Sequence, residues 1–176
     1  MMALWIDNAR SALVRLRDDH AGIALTEFAA WTSVLFVLIM VALDFGGYYI
    51  ARGSINEAIS AAAVRAFNAG ENVDFANLPA YVRNMAENQD LAVSVSCNGE
   101  EGACTNTNRT CACLRSDATY TSFTCGATCT GNNVTANSVA GYYLTIRASQ
   151  SYTPVLVPQS LLSGARLSQA TTVRLQ

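Results

Sequence analysis

The chain has 176 residues, enough for one modest domain and an accessory segment. Its formal net charge of −2 excludes the strongly basic class of nucleic-acid-binding proteins, so no nucleic acid is expected as a partner. Apolar residues make up 51% of the chain, but residues 28–43 hold no charge, whereas residues 97–133 are mainly Thr, Asn, Gly, Ser and Cys. The composition therefore predicts a membrane-proximal half and a polar half.

The first predicted element is an apolar helix from Ile23 to Leu43. Its 21 residues would span ~31 Å, which matches a hydrocarbon core of roughly 30 Å. The uncharged part alone, Phe28–Leu43, would span only ~24 Å, so the membrane helix includes Glu27 near one end. One interpretation is a plain signal anchor, because a Glu at the interface can reach water. A cleaved secretory signal is disfavoured, because the run exceeds the usual core of about 7–15 residues and no small-x-small cleavage site follows.

The flanks of the apolar run predict its orientation. Arg10, Arg15 and Arg17 precede the run, and Arg52 is the nearest basic residue after it. This asymmetry favours a cytoplasmic amino terminus and an exported carboxy-terminal part. The cysteines agree, because an even number of them in the exported part is typical of disulfides in an oxidising compartment. The six disulfide candidates are Cys97, Cys104, Cys111, Cys113, Cys125 and Cys129.

The apolar helix is expected to continue as an amphipathic helix packed under a small domain. Ser54 and Glu57 match a capping box, which either starts a new helix or is incidental inside one long helix kinked at Gly46–Gly47. Gly70 is a suitable carboxy-terminal stop. The apolar residues at helical spacing are Ile55, Ile59, Ala62, Ala63, Ala66 and Phe67.

A short helix and three strands are predicted next. The helix follows Asn77, has Pro79 in its first turn and ends near Glu87. Alternating apolar and polar residues predict half-buried strands in "LAVSVSC", "GYYLTIRAS" and "ATTVRLQ". Pro154 and Pro158 bracket a turn or edge segment between the last two strands. The fold class is therefore α+β: a long transmembrane helix continues into an amphipathic helix, which packs on an antiparallel sheet of about three strands.

Between the first two strands lies Asn98–Ser138, which is too long to be structureless in a compact domain unless something ties it down. Disulfides can do so, although six cysteines allow fifteen pairings and the sequence does not choose among them. Cys111 and Cys113 are expected to have different partners, because bridging residues two apart strains the geometry. A zinc site is disfavoured, because neither a C-x-x-C pair nor a histidine lies nearby. Glu100–Glu101 is interpreted as part of a solvated loop.

No catalytic machinery is visible. The only histidine, His20, precedes the apolar run, so the exported part has no imidazole for a nucleophile pair or a metal site. There is no GxSxG motif and no phosphate-binding glycine loop. Tyr48–Tyr49 and Tyr142–Tyr143 are interpreted as interfacial anchors and sheet packing. We therefore predict no catalytic residue, no cofactor and no metal, and a protein that is not an enzyme.

The start of the apolar run carries a resemblance to a known family. "AGIALTEF", the uncharged run and then "DFGGYYIARGSINEAISAAAVRA" are similar to TadE-like minor pilins or pseudopilins of the Tad (Flp, type IVb-like) pilus assembly system. The resemblance covers roughly residues 15–70 and leaves the cysteine-rich part unmatched. It implies that a prepilin peptidase cuts between Gly22 and Ile23, that Glu27 is the characteristic acid at the fifth mature position, and that Phe28 is the aromatic residue after it.

The resemblance also implies a domain organisation and partners. Residues 1–22 would be a cytoplasmic leader, 23–45 a transmembrane helix, and 46–176 an exported pilin-like domain with a disulfide-stapled, cysteine-rich loop at 97–138. The chain would be a single-pass protein of the bacterial inner membrane with a periplasmic domain, able to enter an extracellular pilus. Its partners would be the prepilin peptidase, other pilin or pseudopilin subunits and the inner-membrane assembly platform.

Glu27 is predicted to pair with the freed Ile23 amine of a neighbouring subunit, because an unpaired carboxylate in a dry helix bundle is unfavourable. Two other classes stay open. An uncleaved, signal-anchored, disulfide-rich binding module shares the helix and the cysteines but leaves the spacing of Gly22 and Glu27 a coincidence. A membrane-tethered enzyme has no identifiable residues.

Overall fold

The computed structural model describes residues 20–154 and 166–175. The chain divides into two compact units, Met1–Phe45 and Gly46–Gln176, which are called the first and second unit below. The class is α+β, as predicted: a long apolar amino-terminal helix, small antiparallel sheets and disulfides.

Helix α1 spans His20–Ala69 and contributes residues to both units. Of the two alternatives for its second half, the structure shows one helix, so the capping-box pattern at Ser54 and Glu57 is incidental. The helix ends where predicted, because Gly70 adopts a φ of 58° that side chains with a Cβ rarely take. The amide of Asn72 then donates to the carbonyl of Ala69 at 3.0 Å, which closes the turn.

In the first unit, α1 presents apolar side chains on every face. Most of its aliphatic and aromatic side chains between Ile23 and Phe45 are about half exposed or more, whereas Met40 and Val41 are partly buried. Among the described residues, one helix is long and apolar enough to cross a membrane by length and composition, and it runs from Gly22 to Ala69. A helix that is apolar all round is typical of a membrane span or of a helix inside a larger assembly.

In the second unit, α1 is two-faced, and its buried face is built largely of alanine. Four alanines and two isoleucines on this face are almost fully buried in one cluster with side chains of the sheet. These small and aliphatic side chains form the helix side of the main core. Phe67 is a correction, because it is 59% exposed rather than packed. Successive residues of a helix are rotated by about 100°, so Phe67, which follows Ala66, lies beside the buried face and not on it. The buried face comprises Ile55, Ala58, Ile59, Ala62, Ala63 and Ala66.

The main sheet packs the other side of this core. Its strand order is β2-β1-β5-β6, and every neighbouring pair is antiparallel. On β5 the buried residues Leu144, Ile146 and Ala148 alternate with more exposed ones, as the period-two pattern predicted, although Thr145 is also buried. The strands are β1 (Ala92–Cys97), β2 (Glu100–Glu101), β3 (Cys111–Leu114), β4 (Tyr120–Phe123), β5 (Tyr143–Ser151) and β6 (Arg166–Arg174).

The predicted number of strands in the sheet and the predicted loop at Glu100–Glu101 both need correction. The main sheet has a fourth strand, because Glu100–Glu101 pairs with the end of β1 instead of lying in a loop, although both side chains are exposed as expected. A two-residue strand is held by backbone pairing alone, so it leaves no periodicity to read. The predicted boundary at Pro158 lies outside the described residues.

Helix α2 (Leu78–Met85) matches the predicted short helix, with Asn77 as its first flanking residue and Pro79 in its first turn. Its buried side chains, Leu78 and Val82, join the core under α1. The Arg83 Nε atom donates to the carbonyl of Leu91 at 3.0 Å, which fixes the entry into β1.

The long connection between β1 and β5 contains its own two-stranded sheet, β3–β4, which sequence patterns did not reveal. A turn centred on Asp117 joins the two strands. The Thr119 hydroxyl and amide donate to the Asp117 carboxylate at 2.6 and 3.0 Å, and these bonds hold the pKa of Asp117 below its usual value. All six cysteines are paired, and Cys111 and Cys113 have different partners, as expected. The disulfides are Cys97–Cys104, Cys111–Cys125 and Cys113–Cys129.

These disulfides hold two different cores. Cys97 belongs to the main core between α1 and the sheet. Cys111, Cys113 and Cys129 form a second small core with Ala140. A core this small buries little apolar area, so covalent bonds supply much of what packing cannot.

Arg109 connects the disulfide-bonded segment to the end of α1. Its Nη2 atom donates to the carbonyl of Gly70 at 2.8 Å, and its Nε atom donates to the carbonyl of Thr105 at 3.1 Å. The guanidinium lies 5.0 Å from the centre of the buried Tyr142 ring. A cation that binds carbonyls at a helix carboxy terminus is favourable for both hydrogen bonding and the helix dipole.

Asn106 reinforces this connection. Its side-chain oxygen accepts a hydrogen bond from the amide of Val73 at 3.1 Å, and its side-chain nitrogen donates to the carbonyl of Val73 at 3.0 Å. The hydroxyl of Tyr142 accepts a hydrogen bond from the amide of Thr105 at 2.9 Å. The segment 105–109 is therefore attached to both the helix end and the sheet.

We predict that Ala62→Leu destabilises the second unit by about 1–3 kcal/mol, because the added methylene groups have no space between helix and sheet. Chemical unfolding of the detergent-solubilised chain, followed by circular dichroism, measures this. Ala61→Leu, the same change on a half-exposed neighbour, is the control and should have a much smaller effect. Equal destabilisation of both variants would contradict the tight helix–sheet contact.

We predict that Arg109→Met lowers the free energy of unfolding by about 1–3 kcal/mol, because it removes charge-assisted donors from carbonyl groups that then lack partners. Arg147→Met changes an exposed arginine on β5 in the same way and should leave stability nearly unchanged. Hydrogen exchange should also show faster exchange in residues 70–73 for the first variant only. Unchanged exchange there would show that Arg109 does not hold the helix end.

Candidate assembly site on the amino-terminal helix

The predicted processing bond, Gly22–Ile23, lies in the first turn of α1 as the structure has it. A Cβ atom built on Gly22 would meet nothing within 4 Å, and the Ile23 side chain is 54% exposed. Both residues are therefore on an open surface, where a change of side chain at position 22 disturbs no packing.

Glu27 lies one helical turn after Ile23 and is exposed. Residues four apart lie on the same face of a helix, with Cβ atoms about 5–6 Å apart. The helix therefore places the carboxylate beside the residue that cleavage would convert into an amino terminus. Within the described part of the chain, no side chain or amide forms an ion pair or hydrogen bond with this carboxylate.

The uncharged polar residues near Glu27 are satisfied within the helix itself. The Thr26 hydroxyl donates to the carbonyl of Ile23 at 2.8 Å, and the Ser33 hydroxyl donates to the carbonyl of Ala29 at 2.8 Å. Such bonds let hydroxyl side chains sit in an apolar environment. From Ile23 to Leu43, Glu27 is therefore the only charged side chain in the sequence, and in an apolar environment it would need a partner of opposite charge.

The surface around Glu27 is apolar and open. Phe28, the predicted aromatic contact, is 71% exposed, and Trp31 on the next turn is 74% exposed. An apolar surface of this extent marks a contact with lipid or with another protein. Large exposed residues farther along include Val34, Leu35, Phe36, Val37, Leu38 and Ile39.

The second unit contains a cluster of three tyrosines, of which the sequence had singled out only two. The ring of Tyr48 packs edge-on against Tyr49, with centroids 5.7 Å apart, and against Tyr152, with centroids 5.3 Å apart. Tyr48 and Tyr49 stand out in the sequence as an aromatic pair after the span. Tyr152 gave no signal, because it joins them from the other end of the chain. These three residues are called the tyrosine cluster below.

Asp44 is another residue that sequence reasoning did not single out. It is 3% exposed, and it has an interaction partner within the protein. The available signal was an acid directly after a long apolar run, which is where polar sequence resumes. No role is assigned to it.

Metal-binding groups and clefts are the other candidate features among the described residues. No group of three or more His, Cys, Asp or Glu side chains in residues 20–154 and 166–175 could hold a metal ion. A cleft of about 330 Å³ in the second unit is lined by a mixture of polar and aliphatic residues and by the Tyr81 ring, over which the Arg65 guanidinium lies at 4.7 Å. Because Arg65 already lies over this ring, that face of the ring is not free.

With this geometry in view, comparison with known families gives one match. Residues 22–64 match the family model described as TadE-like protein. This part of the chain is TadE-like. The match begins at Gly22 and ends inside α1, so both sheets lie outside it. No curated protein and no solved structure matches the chain significantly.

The TadE-like match defines the coarse biological context. It supports a TadE-like protein of Tad pilus systems, and thus a pilus-associated component with pilus assembly partners in general. The family is structural rather than catalytic. The apolar helix is compatible with a single-pass membrane protein.

Proposed function

We propose that this protein is a minor pilin or pseudopilin of a Tad pilus, processed by a prepilin peptidase and assembled through α1. The observation that carries the proposal is that the TadE-like match begins at Gly22 and covers a single apolar helix with one acid near its start. The structure supports it, because most large apolar side chains of this helix in the first unit are exposed and so available for contact with other subunits.

Processing creates the second half of the assembly contact. Before cleavage, the nitrogen of Ile23 is a neutral amide within the chain. After cleavage of Gly22–Ile23 it is an α-amine, which is protonated at neutral pH. The positively charged amino terminus and Glu27 then lie on adjacent turns of the same helix. In a stack of parallel helices, each displaced along the axis from the one before, each carboxylate can instead meet the amine of the next subunit.

This exchange would determine the axial stagger between subunits. Four residues of helix correspond to about 6 Å of rise, so a neighbour displaced by about one turn brings Glu27 level with the Ile23 amine. Other staggers leave a carboxylate in an apolar bundle without a partner, which is strongly unfavourable. The pair therefore contributes specificity of register more than stability.

The second unit leaves a surface of α1 free for the same assembly. Outside the alanine face, Val64 and Phe67 are each more than half exposed. These side chains give the second unit an apolar helix surface of its own for contact with other subunits. We propose a cytoplasmic amino terminus and a periplasmic second unit, since the arginines precede the span and disulfides form outside the cytoplasm.

An uncleaved, membrane-anchored binding module is the alternative. It is favoured by the disulfide-bonded region, which lies outside the TadE-like match and has its own small core. The two functions differ in the first residue of the mature chain, which would be Ile23 only for the pilin.

We predict that co-expression with a prepilin peptidase yields a mature chain that begins at Ile23, as mass spectrometry of the intact protein measures. Gly22→Leu should abolish this cleavage without altering the fold, because position 22 contacts nothing. Gly53→Leu is the matched control, since this glycine also lies in open surface on α1. A mature chain that still begins at Met1 in the presence of active peptidase would favour the binding module.

We predict that Glu27→Ala inserts into membranes at least as well as the unaltered chain, because it removes a charge from the span. The variant should nevertheless be lost from pili, with a decrease of about tenfold or more, since loss of a contact of about 1.4 kcal/mol changes an equilibrium tenfold. Quantitative immunoblotting of membrane and sheared-pilus fractions measures both quantities.

Glu57→Ala is the matched control for this experiment, because Glu57 is another exposed glutamate on the same helix. It should enter the pilus fraction normally. Normal incorporation of Glu27→Ala would reject the charge-pair model while leaving the cleavage result intact.

A further inference from the structure

The tyrosine cluster joins two distant parts of the second unit at one end of its sheet. Tyr48 and Tyr49 belong to α1, whereas Tyr152 follows β5 directly. The Tyr152 hydroxyl lies 3.1 Å from the position that a Cβ atom on Gly47 would occupy. Glycine at position 47 therefore lets this phenol lie against the helix backbone, and a Cβ atom there would require the hydroxyl to shift slightly.

The cluster lies close in sequence to the predicted end of the membrane span. Tyr48 is the third residue after Phe45, the last residue of the first unit. Tyr49 is 65% exposed and Ile50 is 76% exposed, so neither is explained by packing within the domain. Tyrosine is enriched where apolar and aqueous phases meet, because its ring is apolar and its hydroxyl is polar.

The chain that leaves Tyr152 is apolar as well. The paired residues Ser151 and Arg166 bring both ends of the β5–β6 connection to the end of the sheet that carries the cluster. Between Pro154 and Arg166 the sequence is "VLVPQSLLSGA", which holds five large aliphatic residues and no charge. This apolar sequence contrasts with the polar half of the chain. It follows Pro154 and is therefore close to Tyr152 in the sequence.

Two arginines and two acids lie near this end. Arg52, one turn after Tyr48, and Arg166 are exposed, whereas Asp44, one turn before Tyr48, is buried and Asp90 lines the same surface cavity as Arg166. Arginine side chains near a bilayer can reach lipid phosphates, so two arginines beside an aromatic cluster are compatible with a lipid surface.

We propose that the tyrosine cluster and Ile50 form a lipid-contacting surface that holds this end of the second unit in the headgroup region of the bilayer. The contact is made by α1 and by the end of β5 together, so it involves the sheet domain itself and not only the helix that anchors it. This inference rests on the proposed membrane span, and it is independent of cleavage and of pilus incorporation.

Tryptophan quenching by brominated lipids tests this contact in the full chain. The chain is reconstituted at low density into vesicles of phosphatidylethanolamine and phosphatidylglycerol, with or without brominated acyl chains. Trp5→Phe and Trp31→Phe remove the native fluorophores, and Tyr152→Trp supplies the reporter. Tyr143→Trp is the matched control, because it is also half-exposed and begins the same strand, about 30 Å away at 3.3 Å per residue.

We expect brominated lipid to reduce the emission of the reporter at position 152 severalfold more than that of the reporter at 143. Tyr49→Trp is a second reporter on an exposed residue, so it remains informative if the change at 152 disturbs the fold; it should also be quenched. Equal, weak quenching at 49, 152 and 143 would overturn the proposal. Blue-shifted emission that rises with protein density and is insensitive to bromine would also overturn it, and would indicate a second copy on this surface.

A chain that carries only Trp31 separates this proposal from its premise. Quenching of Trp31 without quenching at 49 and 152 would keep the membrane span and reject the lipid-contacting surface. No quenching of Trp31 would reject the span, and the lipid contact with it.

Discussion

The contact between the alanine face of α1 and the main sheet is the interaction on which the second unit depends. Ala58, Ala62 and Ala66 share one buried cluster with Leu144 and Ile146 of β5. This packing buries both the helix stripe and the inner face of the sheet, and burial of apolar surface stabilises the domain. Because this face of α1 is used internally, only the opposite face is left for other molecules.

The same helix meets a different requirement before Phe45. No stripe is set apart there, since apolar side chains cover every face and Glu27 is the only charge between Ile23 and Leu43. An element of this kind does not bury its own surface, so its surroundings must be lipid or other helices. One continuous helix thus joins a segment that needs external partners to a segment that builds a domain core.

The disulfide-bonded region shows how a polar sequence can be ordered with little apolar burial. Three disulfides close it internally, and Arg109 with Asn106 attaches it to the end of α1 through backbone carbonyls and amides. Hydrogen bonds to backbone groups do not require a particular partner side chain. The attachment of this region therefore depends on the backbone at the end of α1 and not on the identity of the side chains there.

The sequence by itself determined the features that repeat over short distances. The apolar run predicted the span, the period of two predicted β1, β5 and β6, and Gly70 predicted the end of α1, because helices and strands leave local periods and stops in the chain. The absence of C-x-x-C and histidine spacing also favoured disulfides over a metal site. The same patterns wrongly placed Phe67 on the buried face of the helix, since the rotation of about 100° between neighbouring residues is enough to separate a buried position from an exposed one.

Only the tertiary structure decided which distant residues meet. Cys113 pairs with Cys129, Arg109 reaches Gly70, and Tyr152 packs on Tyr48, because chain reversals fixed by the sheet bring them together. None of these contacts has a local period, and six cysteines alone allow fifteen arrangements. The sequence therefore indicated which segments are apolar, helical or extended, whereas the packing of α1 on the sheet determined which surfaces of the second unit stay exposed.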